Sequence, residues 1–135
     1  MTSGYTVIAE LVQMAIADAA VSAAVSSRIY IEQGQFEAGY PNVVISVVSR
    51  EESPTQDTGS AIDEYRVQVD VYARPSSGAS AFAAADDIAH KLRAAWSRQN
   101  DTKIESIQEA GYRTDHYPEN DVVLVSNDYM IRVLP

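Results

Sequence analysis

Cysteine is absent from this chain of 135 residues, which removes disulfides, thiolate nucleophiles and cysteine-bound metals from consideration. Its absence fits a reducing compartment. Histidine is nearly as scarce, with only His90 and His116. Two distant histidines without cysteine cannot build a structural zinc site, and neither HExxH nor calcium-loop spacing occurs. Bases are few as well: ten Lys and Arg stand against nineteen Asp and Glu, a formal net charge of −9. Affinity for nucleic acid comes largely from neutralising phosphates with Lys and Arg, and here those residues are scattered with no basic arm. A DNA-gripping role is therefore not expected, although a protein that only surrounds DNA can be acidic. The same acidity keeps a monomer soluble until something else drives assembly. No segment approaches the roughly 18 uninterrupted apolar residues of a membrane span. Met1 to Tyr5 lacks the basic region of a secretory signal, and Glu10, Gln13 and Asp18 interrupt the apolar residues that follow. A soluble protein made in the cytoplasm is expected, with no membrane partner.

The signatures of catalysis are missing in the same way. No serine sits in a Gly-x-Ser-x-Gly turn, and no GxGxxG or P-loop anchors a nucleotide. His90 falls on the polar side of a helical segment and reads as a solvated residue. His116 follows Asp115, but neighbours on a strand point to opposite faces, so adjacency makes no dyad. The acid pairs Glu51-Glu52 and Asp86-Asp87 read as solvated charge. The expectation is no enzyme, no cofactor and no metal.

What is present is a well-patterned globular sequence. Hydrophobic residues make up 46% of the chain, and at this length a single domain over 1–135 buries about 65–70% of its unfolded surface. The clearest segment runs from Asp63 to Trp96. Glu64 to Arg74 alternates polar and apolar residues, the mark of a strand with one wet face. Arg74-Pro75-Ser76-Ser77-Gly78 breaks it, because proline cannot continue the ladder and glycine and serine favour a turn. A helix over Ser80 to Arg98 follows, with Phe82, Ala85, Ala89, Leu92 and Trp96 on one stripe. Asp86 and Asp87 near its start and Lys91, Arg93 and Arg98 toward its end suit the helix dipole. Asp86 with His90 and Asp87 with Lys91 have pairing spacing.

Elsewhere, Val7, Ile8, Leu11, Val12, Ala15, Ile16 and Ala19 form the apolar face of a first helix over Tyr5 to Ala20. Val21 to Ser27 reads as a short helical turn or a loop, and Arg28 to Ile31 as a short strand. Asn42 to Arg50 is nearly continuous in Val and Ile, hence a strand buried on both faces or central in its sheet. Lys103 to Tyr117 is a weaker strand with a bulge at Gly111. Val122 to Val133 closes the chain, with a kink at Ser126-Asn127-Asp128. The order α-β-β-β-α-β-β predicts an α+β two-layer sandwich: a mainly antiparallel sheet of four to five strands with two helices on one face.

Two loops are candidate partner surfaces. Phe36 and Tyr40 lie between Glu32 and Asn42, where large aromatics either anchor a neighbouring subunit or fold back over the core. Glu51, Glu52, Gln56 and Asp57 lie in a Glu51 to Ala61 loop that is long for a hairpin and either projects toward a partner or moves freely. An unpaired sheet edge could also take a second copy of the chain.

In layout the chain resembles the tail-completion or tail-terminator proteins of long-tailed bacteriophages. The resemblance rests on "SSRIY" at Ser26 to Tyr30, "YPNVVISVVSREES" at Tyr40 to Ser53, "YRVQVDVYA" at Tyr65 to Ala73, "LRAAW" at Leu92 to Trp96 and "DYMIRV" at Asp128 to Val133. These are patterns of fold, and no catalytic residue exists to carry over. The resemblance implies a structural virion protein that assembles as a ring, typically a hexamer, on the head-proximal end of the tail tube. Such a ring ends tube polymerisation and docks the head. The implied partners are sibling copies, the major tail protein and a head-completion or neck protein, with DNA passing through the lumen unbound. A head-closure or neck protein is the near alternative. A cytosolic small-ligand binding module is the alternative from a different class.

Overall fold

The alternating segment becomes the middle strand of a five-stranded sheet. The computed structural model of the chain describes residues 3–32, 39–54, 61–76, 80–97 and 104–133. Its elements are α1 (Gly4–Ala17), α2 (Ala19–Val25), β1 (Ile29–Ile31), β2 (Asn42–Pro54), β3 (Ala61–Ala73), α3 (Ala81–Ser97), β4 (Ile104–Tyr117) and β5 (Val122–Val133). Across the sheet the order is β1-β2-β3-β5-β4. Among the described residues, only the β1–β2 pair is parallel. The architecture is the expected α+β one, with a mixed, mainly antiparallel sheet.

The core lies where β3's odd-numbered side chains meet the helices. Tyr65, Val67, Val69, Val71 and Ala73 join Val43 and Ile45 of β2, Val125, Tyr129 and Ile131 of β5, and the helix stripes in one buried cluster. The even-numbered side chains Glu64, Arg66, Gln68 and Asp70 turn to the other face, as period-2 geometry demands. There Arg66 meets Asp128 at 2.9 Å and Arg132 meets Glu64 at 3.3 Å. These partly exposed pairs contribute at most about 1 kcal/mol each. Trp96 ties three elements together. Its Nε1 donates to the Leu11 carbonyl at 3.0 Å, and its ring meets Tyr129 edge-on at 5.5 Å.

Several details differ from the sequence reading. Among the described residues three helices form rather than two, because the first one breaks at Asp18. That residue is extended, and its carboxylate accepts from the N–H groups of Ala20 and Val21 at 3.0 and 3.1 Å. This caps α2, which leaves α1 at 90°. The buried stripe of α1 therefore ends at Ala15, and Ile16 and Ala19 are exposed. On α3 the stripe is Ala81, Ala85, Ile88, Ala89, Leu92, Ala95 and Trp96, while Phe82 is 44% exposed. The helix begins at Ala81, so Ala81 takes the inward position and Phe82, about 100° further round, turns out. The same start puts Asp86 and Asp87 in the second turn, and no acid lies in the first turn or base in the last. The dipole reading therefore fails for Asp86, Asp87, Lys91 and Arg93, and Arg98 lies outside the described residues. Asp87 does pair with Lys91 at 2.8 Å, but Asp86 accepts from the Tyr112 hydroxyl at 3.0 Å instead of meeting His90.

In the sheet, both ends of the expected 51–61 loop are strand, and 55–60 lie outside the described residues. Glu51, Glu52, Ser53 and Pro54 pair with Glu64, Asp63, Ile62 and Ala61. Val48 is a bulge between Val47 and Ser49 and is exposed, while Asn42, Val43, Val44 and Ile45 are buried. The β4 ladder shifts between Glu109 and Gly111, as the glycine predicted. No kink interrupts β5: Ser126, Asn127 and Asp128 pair continuously with β3 and lie opposite β4.

Candidate functional site

The residues singled out from sequence do not converge. Tyr40 is half-buried, with the Arg74 guanidinium 4.8 Å from its ring centre. Arg74 also donates to the Asn120 carbonyl at 3.1 Å. Together Tyr40, Tyr72, Tyr117, Asn120 and Val122 line a cleft of about 290 Å³. Burial, and then the charge of Asp70, pushes the Tyr72 hydroxyl up to about 12. Glu51 is exposed on the far part of β2, opposite Glu64, and Glu52 takes its place in the ladder opposite Asp63. The row of Asn42 and Tyr72 and the row of Glu51 and Glu64 lie nine residues apart on β2, or about 30 Å at strand rise. Phe36, Gln56 and Asp57 lie outside the described residues. Tyr40 and Glu51 thus lie at opposite ends of β2.

A second cleft, which the sequence reading missed, opens between α3 and the strands β4 and β5. His90, Arg93, Ala94, Ser97, Ile107, Glu109 and Tyr129 line about 330 Å³ of it, and Asp86, Tyr112 and Asn127 line an adjoining part. Arg93 forms an ion pair with one oxygen of Glu109, and Asn127 Nδ2 donates to the other at 2.8 Å. The hydrogen bond to Glu109 holds the Arg93 guanidinium charged. Burial, reinforced by the Glu109 charge, pushes the Tyr129 hydroxyl up to about 12. The Tyr112–Asp86 bond closes one side of the cleft. This arrangement ties a helix to an edge strand through charge-assisted bonds. His90 is exposed at the rim, and His116 is exposed with Nε2 3.5 Å from Asp121. Among the described residues, no three His, Asp or Glu are grouped to hold a metal ion.

The signal for this cleft was Tyr112, a large ring directly after Gly111 in an otherwise polar strand. Several other large side chains also stand exposed: Tyr5, Val48, Phe82 and Tyr117.

The result is a small α+β fold whose ionisable groups fasten its own elements to one another. Residues 9–134 match the family described as "Tail completion protein gp17", and the chain belongs to that family. The protein is a structural component of the tail of a phage-type virion. In fold it is similar to a chain in the solved structure "Virion of native gene transfer agent (GTA) particle". That match has a TM-score of 0.69 and 16% identity, covering 93% of this chain and 92% of the other. No curated protein matches the sequence significantly.

Proposed function

We propose that the protein assembles as a ring, a hexamer in the simplest form, on the head-proximal end of the tail tube. There it ends tube polymerisation and offers the surface on which the DNA-filled head docks. It acts by contact and carries out no bond-making. Its partners are sibling copies, the major tail protein of the tube and a head-completion or neck protein.

The observation that carries this reading is the family match over residues 9–134. Physical features support it. The net charge of −9 gives a subunit that repels the phosphate backbone, so DNA can pass a lumen without sticking. Fastening α3 to β4 by ion pairs and hydrogen bonds gives a stiff unit, which suits repeated packing.

Deletion of the gene from its phage, followed by fractionation of the lysate, tests the proposal. The expected result is filled heads and unjoined tails of irregular length, both corrected by supplying the protein in trans. Tails of normal length with heads that leak DNA would contradict termination and favour a head-closure ring instead.

A further inference from the structure

Asn127 is a polar side chain in an apolar layer. It stands on β5 between the core residues Val125 and Tyr129, so period-2 geometry turns it with them toward the helices. Its ladder partner on β3 is Val69, another core residue, and only 6% of it is exposed. A residue that served the fold alone would be apolar here, because a buried amide costs stability unless its hydrogen bonds are made.

The amide is satisfied at one end only. Its Nδ2 donates to Glu109 at 2.8 Å, and since a carboxylate only accepts, this bond fixes which end of the amide is which. The other end, Oδ1, is buried and has no partner. Two residues along β5, Tyr129 is 2% exposed. Its hydroxyl, protonated to about pH 12, bonds to no described residue. Both side chains line the inner part of the cleft between α3 and β4. An unmet acceptor and an unmet donor thus border one space.

That pair selects its ligand by chemistry. A carboxylate has no proton for Asn127 Oδ1, and an ammonium or guanidinium has no lone pair for the Tyr129 hydroxyl. Charge disfavours both as well. Arg93 and Glu109 are already paired with each other, so an anion would meet Glu109 and Asp86, and a cation would meet Arg93. A hydroxyl donates and accepts from a single atom, whereas Asn127 and Tyr129 stand about 7 Å apart along the strand. A carboxamide carries donor and acceptor on separate atoms and has no charge. The cleft, at about 330 Å³, is at the small end of ligand pockets, which span roughly 300–1,000 Å³. Ala94 and Ile107 give it walls for a methylene stem.

We propose that this cleft receives a carboxamide side chain, a glutamine or asparagine of a neighbouring protein in the particle, which donates to Asn127 Oδ1 and accepts from the Tyr129 hydroxyl. Tyr112 and Asp86 border the same inner part, and their bond is exposed, so breaking it opens a path to Oδ1 without disturbing the core. The inference deepens the contact reading above and rests on it for the occupant being a protein side chain.

The test follows the isotope-labelled full chain by NMR in separate titrations with propionamide, propionate, propylammonium and n-propanol at one ionic strength. Propionamide alone should move the Asn127 side-chain amide signals and the backbone signals of Ala94 and Ile107. Saturation is expected with a Kd on the order of 10 mM, ordinary for so small a ligand. Tyr129→Phe removes one oxygen and keeps the ring. It should weaken propionamide binding roughly 5- to 10-fold, the factor for one hydrogen bond, while the urea midpoint at neutral pH holds or rises. A hydroxyl with a structural role would lower that midpoint and overturn the proposal. So would silence toward propionamide, or an equal or larger response to any of the other three probes.

A second arm asks whether a protein fills the cleft. Ala94→Met narrows it from the helix side, and Tyr129→Phe leaves its shape unchanged. Supplied in trans to the deletion phage, each should yield roughly 10-fold fewer joined particles than the unaltered chain, as for loss of an interface anchor. Full restoration by variants that no longer bind propionamide would overturn the partner's side chain as the occupant. If the unaltered chain itself fails to correct the deletion, the ring reading falls, and the titrations still decide the site.

Discussion

Trp96 is the side chain on which the packing converges, since it touches α1 through a hydrogen bond and β5 through a ring contact. Replacing it with Phe keeps most of the apolar volume but leaves the Leu11 carbonyl without its donor. The expected loss is about 1–3 kcal/mol, read as a lower urea midpoint by circular dichroism. An unchanged midpoint would mean that water replaces the indole at no cost.

Tyr72 and Tyr129 set a pH dependence. Burial raises both hydroxyls from 10.0 to about 12 in the folded chain. Between about pH 10 and 12 the unfolded chain has lost these protons while the folded chain keeps them. Stability from this source is therefore complete below pH 10 and falls as pH climbs toward 12. Urea midpoints at pH 9 and pH 11 should show that drop, and spectrophotometric titration should show Tyr72 and Tyr129 among the late-titrating tyrosines.

At this scale the sequence placed Trp96 and Leu92 inward correctly but misplaced Phe82. The stripe alone does not say where a helix begins, and a shift of one residue decides which large side chain faces out. The bond from Tyr112 to Asp86 was invisible for another reason: it joins residues 26 apart in the chain with no local pattern linking them.

Among the elements, the turn from α1 to α2 depends on one carboxylate. Asp18→Ala removes the acceptor for two N–H groups, and a cap of this kind contributes about 1 kcal/mol. The variant should lose about that much stability in urea, whereas Asp18→Asn should lose far less. Equal losses would assign the effect to charge rather than capping.

Asp18 also explains why the helix break was not foreseen. Apolar periodicity continues smoothly through Ala15, Ile16 and Ala19, so period alone predicts one rod, and a capping residue inside the run is the competing signal. The β2–β3 hairpin was underestimated for the opposite reason. Its far end, Glu51 to Pro54, reads Glu-Glu-Ser-Pro with no apolar alternation, and alternation reports a strand only where one face is buried. The middle of β3, buried on one face along its length, was legible almost residue for residue.

For the whole molecule, nineteen acids against ten bases mean that copies of the chain repel one another at a distance. Raised salt screens the repulsion, whose range shrinks from about 30 Å at 0.01 M to about 3 Å at 1 M. Light scattering should therefore show association strengthening as salt rises. Oligomers that dissolve with added salt would instead mean that opposite charges hold the ring.

The fold class was readable from the order of elements, because striped helices need a sheet to cover and an alternating strand needs a wet side. The margins were not, since which strands end at an edge depends on the order β1-β2-β3-β5-β4, and no local pattern records it.

The central claim is that this subunit closes the tube, and imaging of tube ends tests it most directly. Tubes polymerised from the major tail protein would be mixed with gold-labelled copies of this chain and viewed in negative stain. The account predicts a single labelled ring at one end of each tube and tubes that stop growing once it is seated. Label scattered along the walls, or tubes that lengthen at the same rate with the protein present, would contradict it.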